Sequence, residues 1–269
     1  TSYFDTLMQM PSQELARALI EGLPARMDSL TAFLNEDHYA LFPLYNFYFT
    51  RDASVTIGNN ALICRMANKV RMRESLIMEA IYKGSGEFQC SIINAHNFQP
   101  GNKDIYMEGG DILIAREDIL LIGNGVRTST QGIDMLIANL CHNTPKGKRH
   151  VLVQQLPSSP ESFIHLDMVF TLLDHDKCMV FEPLILRDNQ YQTVHITIDN
   201  GKVSNISSVP KLVRTLKKLG IDLEPVICGG TADVWNQERE QWHSGANFFA
   251  FAPGKVLSYA RNTNTLNEL

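Results

Sequence analysis

A chain of 269 residues with 44% hydrophobic and 20% charged residues carries enough apolar material to bury a core in one or two domains. Its formal net charge of −5, with no basic run, excludes the electrostatic footprint of a nucleic-acid binder. No apolar run approaches the roughly 20 residues that span a bilayer, and the opening TSYFDTLMQM lacks a signal peptide's basic flank and apolar stretch, so no membrane role is expected and a reducing cytoplasm is the expected compartment.

From its start to about Tyr45 the chain reads as helices. Thr1 stands where an initiating methionine is normally found, which points to a processed or trimmed chain. Ser12 is placed to cap QELARALIE, Gly22 to end it, and ARMDSLTAFLNED continues with helical spacing of Met27, Leu30 and Leu34. From Asn46 the pattern changes to short apolar strands and turns, alternating with the amphipathic segments RESLIMEAIYKG, TQGIDMLIANLCHN and PKLVRTLKKLG. This is α/β text. The five cysteines, Cys64, Cys90, Cys141, Cys178 and Cys228, are odd in number and free of CxxC spacing, so neither a disulfide framework nor a zinc site is expected. They read as small core residues.

One unit recurs along the α/β region. DASVTIGNNALICRM from Asp52, DILIAREDILLIGNG from Asp111, DMVFTLLDHDKCMVF from Asp167 and NFFAFAPGKVLSYAR from Asn247 each give a polar residue, an apolar strand, a turn and a second strand. The last spacing is lengthened by the helical text around TADVWNQEREQWHSG. If such units pack about an axis, their strand mouths converge, and three of the four carry aspartate. An isolated carboxylate is costly to bury, so the gathered charge implies paired structural acids or a site that holds a cation.

Taken singly, the motifs have plain explanations. Arg51 and Asp52 read as a surface ion pair worth little, the glycines of MEGGD as a tight turn, and His165 and Asp167, two apart and so on the same side of a strand, as a metal pair or a satisfied core histidine. As a set, two aspartates, Glu108 and His165 suit chemistry on a guanidinium, whose N–H fork matches carboxylates bidentately. The histidine and glutamate are placed to handle protons. No nucleophile elbow G-x-S-x-G and no phosphate loop G-x-x-x-x-G-K occurs.

NFYFTRD, KVRMRES, MEGGD, IGNGVRTS, FIHLDMVFTLLD and PGKVLSYARNTNT, in that order from Asn46 to Thr265, resemble successive signature blocks of the arginine deiminase family, guanidino-modifying enzymes of the pentein type. The resemblance implies an α/β propeller of ββαβ-like modules over residues 46–269, incomplete here, preceded in 1–45 by the C-terminal part of an inserted helical domain. It implies hydrolysis of free L-arginine to citrulline and ammonia through a thiouronium on a cysteine, with no metal or organic cofactor. Carried over block by block, Asp52 and Asp167 grip the guanidinium, His165 and Glu108 move protons and orient water, Asn46 and Phe49 line the substrate chain, and Arg71 and Arg127 bind the α-carboxylate. Asp111 is expected to support the Glu108 turn. The family's nucleophilic cysteine sits in a glycine-rich block that is not found before Leu269, so the chain is expected to be a central fragment without it. Related deiminases of agmatine or peptidyl arginine, a dimethylargininase, an amidinotransferase and a non-catalytic arginine-binding propeller remain alternatives. A homo-oligomer is compatible with the sequence.

Overall fold

The computed structural model describes residues 2–98, 105–143 and 147–269; Thr1, which carries the expectation of a trimmed start, lies outside them. All four recurring units form antiparallel hairpins. Their strands are Ser54–Ile57 with Asn60–Ile63, Ile112–Arg116 with Ile119–Asn124, Phe170–Leu172 with Lys177–Val180, and Phe249–Ala252 with Lys255–Leu257. In the first three, the second strand also pairs in parallel with a later one, Ser91–Asn94, Lys148–Gln155 and Glu224–Ile227 respectively. A parallel pair needs a crossover, and helices Met72–Gly84, Thr130–Asn143 and Leu212–Lys218 lie along these three connections. Three ββαβ modules result, their hairpins kept in separate sheets like the blades of a propeller.

Burial follows strand alternation. In the second module Leu120, Ile122 and Val151 face Ile133, Leu136 and Leu140 of the Thr130–Asn143 helix. Ile119, Leu121 and Leu152 face the other way, against Phe170, Leu212 and Leu216. Strand Ile119–Asn124 is therefore apolar on both sides, as a strand covered on both faces must be. The third module carries an added hairpin, Thr193–Asp199 with Lys202–Val209, that extends the second module's sheet through Lys148–Gln155. Its outer strand is mostly exposed, so it lacks the apolar alternation by which strands are recognised.

The first 45 residues depart from the helical expectation. Ser12 is the first residue of helix Ser12–Glu21 rather than its cap; Pro11 holds that position, while Gly22 ends the helix at φ 91° as expected. The stretch from Met27 to Leu34 forms only the short helix Leu30–Phe33, capped by Ser29. Leu30, Phe33 and Leu34 stay exposed, so no buried apolar face holds a longer helix together. Instead Leu23–Pro24 pairs with Tyr39–Leu41 across it.

Candidate active site

Three tight turns from three modules meet in one place. Asp52 rides on the helical turn Thr50–Ala53, just before the first hairpin. Glu108 precedes the 3-10 turn Gly109–Asp111 at the mouth of the second hairpin. His165 and Asp167 flank Leu166 in the 3-10 turn Leu166–Met168 before the third. The strand expected for His165 and Asp167 is thus a turn, because Asp111 Oδ1 accepts a 2.8 Å hydrogen bond from the Leu166 N–H and curls the chain there. Both glycines of MEGGD are required by contact. A Cβ on Gly109 would lie 1.9 Å from the Arg51 carbonyl oxygen, and one on Gly110 would lie 2.6 Å from His165 Nδ1. Arg51 is not a surface partner of Asp52 but a strap, donating to the carbonyls of Gly109 (3.4 Å) and Ile112 (3.1 Å).

The charges form a chain. His165 Nε2 lies 2.9 Å from Glu108 Oε2, and His165 Nδ1 lies 3.8 Å from Asp52 Oδ1. Burial pushes the imidazolium toward its neutral form, but the Glu108 hydrogen bond and the charges of Asp111, Asp167 and Asp52 outweigh it, raising His165 to about 9. Burial also works against the ionised Glu108, yet His165, Arg127 and the Ala67 N–H (3.0 Å) hold its carboxyl below the usual range. The pair is therefore ionic at neutral pH. Asp111 and Asp167 go the other way: burial raises both, Asp111 to about 7, and the His165 charge only partly offsets it. Asp111 Oδ2 is buried without a partner.

Arg71 does what the sequence does not suggest. Its guanidinium is buried among the acids: Nη1 donates to Asp52 Oδ2 at 2.8 Å and lies 3.7 Å from Glu108 Oε2. Nε and Nη2 donate to Glu74 at 3.0 and 2.8 Å, and Nη2 also reaches the Asn46 carbonyl at 3.4 Å. Glu74, almost fully buried, is a site residue that sequence reading missed; the only signal was its position one helical turn after Arg71. Arg127 is partly exposed and reaches Glu108 Oε1 at 3.5 Å. Asn46 reaches the cluster through its carbonyl. Phe49 is exposed, stacks on Tyr48 with ring centroids 4.1 Å apart, and contributes its carbonyl to the Asp52 N–H. Asp167 is half-buried; its carbonyl accepts from Thr171 Oγ1 and Asn247 Nδ2, each at 3.3 Å.

Cys64, read as an ordinary core residue, lies against this cluster at the end of the Asn60–Ile63 strand. Burial, then the charges of Glu108, Asp52 and Asp111, push its thiol well above the ordinary range. Such a cysteine stays protonated and is a poor nucleophile.

Ligand atoms of Asp52, Glu108 and His165 all lie within 4.8 Å of one another, a donor set able to hold a metal ion. Arg71 argues for a different cation. Its guanidinium is already seated on Asp52 and beside Glu108, and a divalent ion there would meet that charge at close range. What these acids hold is a planar, forked donor.

The architecture is shared with enzymes of known structure. The N-terminal domain of ArgZ, a cyanobacterial arginine dihydrolase, superposes with a TM-score of 0.50 at 18% identity, over 82% of this chain and 65% of that one. SxtG, an amidinotransferase from Microseira wollei, gives 0.51 at 14%, over 81% and 60%. The fold is thus of the pentein type, an α/β propeller, with an acid–histidine–guanidinium centre where its turns meet. Within that class the chain belongs to the arginine deiminase family, whose sequence profile matches residues 6–269. It is 34% identical to the arginine deiminase of Listeria monocytogenes serovar 1/2a over 96% of this chain, and 37% identical to that of Bacillus cereus over 87%. The chain spans 64% and 57% of the lengths of those two relatives. Among the described residues no helix is long and apolar enough to cross a membrane.

Proposed function

We propose that the full-length protein is a cytoplasmic enzyme that hydrolyses the guanidinium of free L-arginine to L-citrulline and ammonia, with residues 46–269 as its catalytic propeller and the segment before them as part of an inserted helical domain. One observation carries this: Asp52 and Glu108 converge on a bound guanidinium, that of Arg71, and His165 is hydrogen-bonded to Glu108 beside it. In this scheme Asp52 and Asp167 hold the substrate guanidinium, Asn46 and Phe49 border its chain, and Arg71 and Arg127 supply charge for the α-carboxylate. A cysteine thiolate adds to the guanidinium carbon and ammonia leaves with a proton; water then adds to the thiouronium carbon and expels the thiolate, giving citrulline. His165, protonated up to about pH 9, gives the proton to the leaving nitrogen and, once neutral, takes one from the water. Glu108, held ionised, fixes His165 between these roles. Asp111 ties the Glu108 turn to the His165 turn.

No cysteine among the described residues has a nucleophile's surroundings. Burial drives Cys64 up with its acid neighbours, and drives Cys178 and Cys228 up to about 12. Cys141 packs on the core, and Cys90 precedes Ser91, which pairs with Asn60 at the end of the first sheet remote from Cys64. Incubating the full-length protein with L-arginine, with agmatine, and with arginine plus an amine acceptor should give citrulline and ammonia in equal amounts from arginine. Turnover of agmatine alone, or transfer to the amine, would assign it to a sister reaction.

A further inference from the structure

A substrate guanidinium cannot fork onto both oxygens of Asp52 while Arg71 holds Oδ2. Arg71 has its Nε hydrogen and both Nη2 hydrogens committed to Glu74 and the Asn46 carbonyl, and one Nη1 hydrogen to Asp52. A guanidinium has about five N–H donors, so only one, on Nη1 beside Glu108, is left. In this arrangement Arg71 cannot also fork onto a substrate carboxylate. Arg71 also borders a cavity of about 340 Å³ whose lining includes Phe42, Tyr45, Lys69, Arg73 and Glu74. Lys69 and Arg73 in an otherwise largely apolar wall suit an anion, and the cavity gives the Nη1 edge somewhere to go.

We propose that Arg71 is an internal ligand that exchanges with the substrate. The incoming guanidinium takes Asp52; the Nη1 edge of Arg71 swings off Asp52 toward the cavity and takes the substrate α-carboxylate; Glu74 keeps Nε and Nη2 throughout and is the pivot. Glu74 is therefore a specificity-determining positioning residue. A guanidinium without a carboxylate must displace Arg71 and offers it nothing in return, whereas arginine replaces the contact it breaks. The exchange rests on the arginine-hydrolysis reading for its substrate, but its core, competition between Arg71 and an external guanidinium for Asp52, does not.

The test is a calorimetric titration of methylguanidinium into the full-length protein, with KM for arginine and agmatine measured alongside. By the rule that apparent affinity scales with the fraction of site left open, Arg71→Ala should bind methylguanidinium about threefold or more tighter than wild type. Glu74→Gln should bind it about threefold weaker, because the Arg71 charge then leans harder on Asp52. Because Arg71→Ala strands the buried Glu74 carboxylate, the double variant Arg71→Ala/Glu74→Gln, which removes that charge and leaves Asp52 open, should reproduce the tighter binding. In the two Arg71 variants KM for agmatine should fall while KM for arginine rises by about tenfold. Weaker or unchanged methylguanidinium binding in both Arg71 variants would overturn the exchange. A rise in both KM values would make Arg71 merely a support for Asp52, and a rise for arginine alone would make it a fixed clamp; either would also overturn it. Absence of citrulline from wild type would instead strike at arginine hydrolysis, while the titration still decides the exchange.

Discussion

At the scale of single residues, the centre depends on what is missing from Gly110. A methyl group there would press on the His165 ring from 2.6 Å and on Asp52 Oδ1 from 3.0 Å. Gly110→Ala should therefore push the imidazole off Glu108, costing about 1–3 kcal/mol of stability by overpacking and about 100-fold in turnover by misplacement. Thermal melts and citrulline rates on one preparation separate the two effects; an active variant would show that His165 tolerates displacement. His165 also sets a pH limit. Its proton, held by Glu108 and the surrounding aspartates, is retained up to about pH 9, so kcat/KM limited by the protonated form should fall as pH rises through that value. A fall centred near the ordinary histidine range would mean that the Glu108 contact is not made in solution.

At the scale of elements, the 3-10 turns of the second and third modules are joined by Asp111, whose carboxyl is raised from 3.8 to about 7. A folded-state value above the unfolded one means that the acid's contribution is full below about 3.8 and is lost as pH rises through about 7. Asp111→Asn keeps an oxygen for the Leu166 N–H and removes the titration. The melting temperature of the variant, relative to wild type, should therefore gain steadily between about pH 4 and pH 7; parallel profiles would show that Asp111 does not titrate there. The hairpins were legible in the sequence because each pairs an apolar strand with a turn behind a polar residue, and the acids at three of the four mouths pointed to the candidate site. The rest was hidden for physical reasons. Arg71 and Glu74 look like ordinary charges of an amphipathic helix until the fold turns them inward. Cys64 is an apolar neighbour in sequence and an acid neighbour in space. The Lys202–Val209 strand is too exposed to show a pattern, and Leu30, Phe33 and Leu34 show one without a surface to bury it.

At the scale of the whole molecule, three modules each lend one turn, and no module alone contains a site. That is why Asp52, Glu108 and His165, scattered over more than a hundred residues, reach one another only when the first three hairpins are in place. The cysteine environments carry the same logic: residues 1–269 expressed alone should form neither citrulline nor a covalent adduct with arginine, and an adduct by intact mass on Cys64 or any other of the five would displace the proposed division of roles. The centre itself is tested most directly by His165→Ala in the full-length protein, followed by citrulline formation from saturating L-arginine with circular dichroism to verify the fold. Loss of the general acid should slow turnover by about 100- to 10,000-fold while the spectrum stays native; near-normal turnover by the folded variant would contradict the acid–histidine centre as the seat of the chemistry.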